Sequence, residues 1–272
     1  MNALPPTAQR WKPSPLLRAS GLLHGGAALL TALRPHWWPW TLGAVIANQL
    51  LLTGLGLWPR SRGLGANMTR LPAAAAARGE VAITIDDGPD PEVTPQVLAI
   101  LAEHRVQVTF FCIGERAARF SACVRDCAAA GHAIENHSYR HGHNFSLLGP
   151  GSIRRDIALA QQVLTALAGT APRFFRAPAG LRNPLLDPVL QRLGLQLASW
   201  TRRGFDTVST DPASVLARLT RNLRAGDILL LHDGHASRSP AGRPLVLEVL
   251  PRLIEALAQR SLRPVTLREA LR

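Results

Sequence analysis

The chain is 272 residues long, 47% hydrophobic and 18% charged, ample for one large domain or a domain plus an anchor. Its formal net charge is +13, yet residues 1–78 carry eight Lys or Arg (Arg10, Lys12, Arg18, Arg34, Arg60, Arg62, Arg70 and Arg78) and no Asp or Glu, leaving +5 for the remainder. These cations flank apolar stretches and do not interleave with aromatics, which favours membrane-flanking charge over nucleic-acid binding.

Two uncharged runs open the chain. Ala19 to Leu33 gives 15 residues between Arg18 and Arg34, and 25 residues separate Arg34 from Arg60, with Trp37, Trp38, Trp40 and Trp58 bracketing Thr41 to Leu57. The second run is long enough to cross a bilayer, and its tryptophans stand where an interfacial belt would. The first reaches span length only with Leu16, Leu17 and snorkelling of its flanking arginines. A cleavable signal peptide fits poorly, because the second run is too long for its apolar region and no small-residue cleavage pattern follows. Residues 1–60 are therefore expected to form a membrane-inserted helical hairpin, and the Gly, Ala and Arg-rich residues 61–79 a linker. Lys and Arg precede the first run and follow the second, so the positive-inside rule puts both hairpin ends, and residues 80–272, in the cytoplasm. Insertion of the second run alone would put that domain outside.

From Val81 onward short apolar runs alternate with helical patterns. Strands are expected at 81–86, 108–113, 133–136, 173–176, 195–200, 227–232 and 264–266, and helices near 91–104, 115–129, 152–168, 183–193, 211–224 and 244–259. Seven strands alternating with helices argue for parallel βα units in a barrel or open α/β sheet. The first strand runs into Asp86 and Asp87, with Asp90 as N-cap of the helix that Pro91 opens. Cys112 reads as a buried small hydrophobe. Cys123 and Cys127, one helical turn apart, have no further Cys or His nearby for a structural zinc site. An odd count of three cysteines makes no disulfide framework and tilts toward a reducing compartment. After the third strand, His137 and His141 stand four residues apart, where one helical turn would aim both rings at one ion. His132 reads as structural, and His143 and His235 as solvated or supporting groups. The 227–232 strand delivers His232, and Asp233 caps the turn after it. Asp86, Asp87, His137, His141 and His232 all fall at or just beyond a strand's C-terminal end, where a βα barrel keeps its chemistry. Two histidines and a carboxylate leave an open coordination position, as in catalytic zinc sites.

Thr84-Ile85-Asp86-Asp87-Gly88-Pro89 resembles the T-F-D-D-G-P signature of the polysaccharide deacetylase family, the NodB-homology or carbohydrate esterase family 4 domain. His137-Ser138 followed by His141 is similar to its H-S/T-x-x-H, Arg176-Ala177-Pro178-Ala179-Gly180 to its R-x-P-x-G, and Leu231-His232 to its closing L-x-H. The resemblance covers about residues 80–268 in the family's motif order. It implies a distorted (β/α)7 barrel, carrying a divalent metal, usually Zn2+, that removes N- or O-acetyl groups from sugars. It further implies Asp87, His137 and His141 as metal ligands, Asp86 as general base, His232 as general acid and Arg176 as the group orienting Asp86. Asp206, six residues after Trp200, loosely matches an aspartate that raises the basicity of the acid histidine. The Ala179 N–H and Trp200 fall on the substrate and oxyanion side.

The chain departs from the family pattern at two places. The family often has an aromatic residue where Ala179 stands, and an Asp-Trp pair where this chain has Phe205-Asp206-Thr207. Both normally shape the sugar groove. The expected activity is removal of an N-acyl group, acetyl or formyl, from an amino sugar of a polysaccharide or lipid-linked glycan. The rivals are an O-acetyl carbohydrate esterase and a catalytically silent sugar-binding module. The expected partners are that glycan and the lipid bilayer, not nucleic acid, and no oligomeric state follows from the sequence. The expected location is a bacterial inner membrane with the catalytic domain on the cytoplasmic face, the periplasmic face being the alternative.

Overall fold

A computed structural model describes residues 11–272, so Arg10 lies outside the described residues. Helices α1 (Pro15–Leu33) and α2 (Trp38–Leu57) form the N-terminal pair. Ser14 opens α1 as its N-cap, accepting the Leu17 N–H at 3.2 Å. At 19 residues α1 is longer than the charge-free run, because it starts at Pro15 and takes in Arg18; at about 1.5 Å per residue it reaches roughly 28 Å. Polar side chains meet only along the seam: Ser20 with Asn48 at 2.8 Å, His24 with Gln49 at 3.1 Å and Thr31 with Thr41 at 2.7 Å. That order of pairs makes the helices antiparallel. Their outer faces expose Leu22, Leu29, Leu33, Trp40, Ile46, Leu50 and Leu51. Both helices are long and apolar enough to cross a membrane.

The rest of the chain runs α3 (Ala73–Ala77), β1 (Glu80–Asp86), α4 (Thr94–Glu103), β2 (Thr109–Cys112), α5 (Gly114–Arg119), α6 (Ser121–Ala129), β3 (Ala133–Asn136), α7 (Pro150–Ala168), β4 (Phe174–Phe175), α8 (Leu186–Arg192), β5 (Gln196–Leu197), β6 (Arg202–Arg203), α9 (Pro212–Thr220), β7 (Ile228–His232), α10 (Leu245–Ala258) and β8 (Arg263–Pro264). The strands pair in parallel in the order β5-β4-β3-β2-β1-β7-β6, with β8 on β1. This is the curled parallel α/β barrel expected from the sequence, with one more strand, β6. The expected helix over 115–129 breaks at Phe120 into α5 and α6.

Parity decides what each strand does. Val81, Ile83 and Ile85 of β1, with Leu229 and Leu231 of β7, join one apolar cluster with residues of α4 and α10. The alternate residues Ala82, Ile228 and Leu230 join Phe111, Phe174 and Trp200 in a second cluster inside the barrel. Thr84, Asp86 and His232 share that inward parity.

β5 and β6, the two ends of the sheet order, do not pair with each other, and residues 66–71 run beside them. The Met68 N–H donates to the Leu197 carbonyl at 2.9 Å, and the Met68 carbonyl accepts from Ser199 at 2.8 Å. Thr201 Oγ1 donates to the Thr69 carbonyl at 2.6 Å, and the Leu71 N–H to Gly226 at 2.9 Å. Leu64, Leu71 and Ala75 are buried. Segment 61–79, read from its composition as a linker, is a packed strap carrying the short helix α3. Small residues let it lie close to the barrel wall; composition alone shows only their polarity and flexibility.

Candidate active site

The C-terminal ends of β1 and β7 bring two ionisable groups side by side, since Asp86 is in register with His232. Asp86 is held from across the barrel. Arg176, buried just past β4, donates through Nη1 to Asp86 Oδ1 at 2.6 Å and to Thr84 Oγ1 at 2.8 Å. Its Nε and Nη2 donate to the carbonyls of Ala198 and Ser199, and its guanidinium lies 4.0 Å from the centre of the Phe111 ring. Burial pulls the Arg176 pKa down against the pull of Asp86.

Asp87 leaves the strand at φ 72°, which swings its carboxylate away from that of Asp86. Asp87 Oδ1 then sits 3.2 Å from His137 Nε2 and 3.1 Å from His141 Nε2. It is buried and accepts no hydrogen bond of acceptable geometry. One ligand atom from each residue lies within 4.8 Å of the others. An orphaned carboxylate oxygen between two ring nitrogens fits a divalent cation, which would satisfy all three atoms. His137 Nδ1 lies 2.8 Å from the Arg176 carbonyl; donating there leaves its Nε2 lone pair to face the site.

The two histidines converge, but not on the helical turn their spacing suggests. Residues 137–141 form a bend in which Ser138 (φ 65°) and His141 (φ 52°) take left-handed backbone. The His141 N–H donates to Ser138 Oγ at 3.0 Å, and Asp156 of α7 accepts the Tyr139 and Arg140 N–H groups. The rings end 4.7 Å apart. A four-residue spacing is equally served by such a bend, so periodicity could not separate them.

His232 Nδ1 lies 2.9 Å from Asp206 Oδ1, and Asp206 Oδ2 accepts the His232 backbone N–H at 2.7 Å. Burial opposes charging of His232, but the carboxylate of Asp206, helped by Asp86 and Asp87, wins and raises its pKa. His141 moves the other way, down to about 4, through burial and the nearby His137. Burial would lift the pKa of Asp87; the close imidazoles of His137 and His235 outweigh it and hold it below the usual carboxylate range.

These side chains share a cavity of about 640 Å3 whose wall includes Ala179 and Trp200. Ala179 stands at φ 53° in the turn Pro178–Gly180, and Trp200 is buried to 6% exposure. His143 also lines the cavity, while His235, with a 60% exposed side chain, reaches Asp87 Oδ2 at 3.3 Å. His132 is structural: its Nδ1 accepts the Val108 N–H at 3.2 Å. Asp233 is buried and ties β7 to α4, accepting from Thr94 Oγ1 at 2.5 Å as well as from the next N–H, Gly234. Burial pushes it up to about 6. Asp90 accepts the Glu92 and Val93 N–H groups ahead of α4, as an N-cap does. Arg116, Arg140 and Arg203 also line the cavity, with no sequence signal to mark them. Thr84 had one, its even spacing from Asp86.

The model of the family described as polysaccharide deacetylase matches residues 74–198. A chitooligosaccharide deacetylase of Azorhizobium caulinodans is 34% identical over 190 residues, 67% of this chain and 90% of that protein. The chain belongs to the polysaccharide deacetylase family. A peptidoglycan-N-acetylglucosamine deacetylase of Bacillus cereus is 33% identical over 195 residues, 70% of this chain and 67% of that protein. A crystal structure of a peptidoglycan N-acetylglucosamine deacetylase, in complex with 4-naphthalen-1-yl-N-oxidanyl-benzamide, superposes with a TM-score of 0.68 at 29% identity, covering 75% of this chain and 92% of that one. The family's barrel is thus the fold found here.

Proposed function

We propose that residues 80–272 are a metal-dependent N-deacetylase of an amino sugar in a glycan, tethered to a membrane by the hairpin within residues 1–60. What supports the chemistry is one arrangement: Asp86 and His232 in register on neighbouring strands, flanking the converged atoms of Asp87, His137 and His141. In this reading those three hold a divalent ion, Zn2+ by the nature of the donors. Such an ion supplies a Lewis acid for the acyl oxygen and lowers the pKa of water. Arg176 occupies Asp86 Oδ1, which leaves Oδ2 free to take the proton of the attacking water. The departing amine needs a proton, and His232, whose pKa the carboxylate of Asp206 raises, is placed to give one. Ester cleavage has less need of that acid, so the His232–Asp206 pair favours an amide substrate over the O-acetyl esterase reading. In this reading Ala179, through its backbone N–H, and Trp200, both on the cavity wall, serve the acyl group and sugar.

The reading is tested by incubating the full chain with a panel of acetylated and formylated amino sugars and measuring acyl release. Release from an N-acyl sugar, lost on chelation and restored by Zn2+, is expected. Release from O-acetyl sugars alone would replace it with the esterase reading. Independently of turnover, the double substitution His137→Ala plus His141→Ala should bind no stoichiometric divalent metal; full metal retention puts the site elsewhere.

A further inference from the structure

The hairpin is fastened to the barrel at the rim of the catalytic cavity. Gly56 near the end of α2 accepts the Arg182 N–H at 3.1 Å. The Pro59 carbonyl accepts from Ser199 Oγ at 2.7 Å and Asn67 Nδ2 at 2.9 Å, and Arg60 donates to the Thr201 carbonyl at 3.1 Å. Pro59 packs so tightly on Gly180, a residue of the cavity wall, that a Cβ there would lie 2.7 Å from Pro59 Cβ and 2.6 Å from Trp200. Trp58, one residue earlier and 54% exposed, is the aromatic that would mark the bilayer boundary at this end of α2. The boundary and the cavity wall are therefore adjacent.

The face of the barrel on which the cavity opens is apolar where it should be wet. Among the described residues beyond the hairpin, the exposed large apolar side chains are Leu147 (84%), Leu159 (43%), Leu185 (42%), Phe205 (45%) and Val208 (73%). All but Leu159 lie on loops that follow the C-terminal ends of strands: Leu147 after β3, Leu185 after β4, Phe205 and Val208 after β6. Such concentration on one face, continuous with a membrane-length hairpin, is what a bilayer contact requires. On the same face the cavity presents cations. Arg203 lies over the Trp200 and Phe205 rings at 5.7 and 5.1 Å, and its Nε is buried without a partner. Arg140 opens onto the same cavity, and among the described residues neither pairs with a carboxylate. Unpaired guanidinium groups at a membrane surface are suited to phosphate.

We propose that the catalytic mouth faces the bilayer and that its substrate is an acylated amino sugar carried on a lipid through phosphate, which Arg203 and Arg140 receive. This rests on the deacetylase reading for its chemistry, but its geometry stands apart from it. The orientation is tested first, without turnover. On a Cys123→Ser background, single cysteines at Leu147, Val208 and Leu159 are labelled with a fluorophore in full-length protein reconstituted into vesicles containing brominated lipid. Quenching at 147 and 208 but not at 159 is expected; no quenching at either rim position overturns the proposal.

The substrate is tested by comparing isoprenyl-phosphate-linked N-acetylglucosamine in the vesicles with a free chitooligosaccharide. The lipid-linked sugar should be hydrolysed at least about tenfold faster, because the surface concentrates it before the mouth. That preference should fall about tenfold in Leu147→Ser plus Val208→Ser, which weakens surface contact. Arg203→Gln should raise KM for the lipid-linked sugar more than for the free one. Equal rates on both sugars overturn the substrate assignment. Rim quenching without release from any N-acyl sugar keeps the orientation and removes the deacetylase reading.

Discussion

Asp86 and Asp87 are chemically identical neighbours set in different surroundings. Asp86 gives one oxygen to Arg176, while Asp87 is turned by its positive φ toward two histidines. Asp86→Asn should therefore lower the turnover rate by about 10²–10⁴-fold, the usual contribution of a general base, with metal content intact. A variant turning over near the parental rate, with metal bound, would refute that division of labour. His132 gives a second residue-scale expectation, for stability. Burial pushes it down to about 4, so the folded state prefers the neutral ring. A depressed histidine pKa contributes stability in full above about 6.5, lost as pH falls toward 4, at most roughly 3 kcal/mol. His132→Asn keeps an acceptor for the Val108 N–H and cannot titrate. The free energy of unfolding of the parent should then fall relative to this variant between pH 7 and 4. Parallel pH profiles would show that His132 is not held neutral.

The strap is the element whose role the sequence hid most completely. Met68 forms backbone bonds on both sides of Ala198, between two short strands that do not meet. Met68→Pro removes the N–H that serves the Leu197 carbonyl, leaving that acceptor unpaired at about 1–3 kcal/mol. Unfolding of the variant should show a Tm lower by several degrees, whereas a mere linker would tolerate the change without one. What was legible in the chain follows the same logic. β1, β2 and β7 are mostly apolar and β3 opens on an apolar pair, and each is ended by site residues or turns. Asp86, Asp87, His137, His141 and His232 could be located because each ends or follows such a strand, whereas Arg176 and Asp206 were legible only through the family resemblance. β6 is only Arg202-Arg203, too short and too charged to carry a period, and its pairing depends on β7 alone. The bend holding His141 is set by Asp156 and Ser138, contacts that spacing does not encode. Arg203 reaches the cavity, and Pro59 the back of its wall at Gly180, through tertiary packing that leaves no local trace.

At the scale of the whole molecule, the distribution of Lys and Arg about the hairpin is a statement of topology. Lys12 and Arg18 stand before or at the start of α1, and Arg60, Arg62, Arg70 and Arg78 follow α2, with Arg34 alone between them. For the proposed membrane hairpin, the positive-inside rule predicts both ends on the cytoplasmic side. A reporter active only in the periplasm, fused after Arg272, should stay silent in bacterial cells, and one active only in the cytoplasm should respond. Strong periplasmic activity would reverse the topology and direct the search for substrate to exported glycans.

The strap also imposes an order of assembly. Met68 is synthesised 130 residues before Ala198, the residue it bridges. Contacts this far apart in sequence form late, after local helices and neighbouring strands. A growing chain therefore carries its strap from the start but cannot use it until residues 195–203 have emerged. For a hairpin already lodged in a bilayer, residues 66–71 wait at the membrane surface while the other strands arrive. The barrel is completed there, against a tethered edge, so translation would deliver the catalytic mouth to the lipid surface in the act of folding.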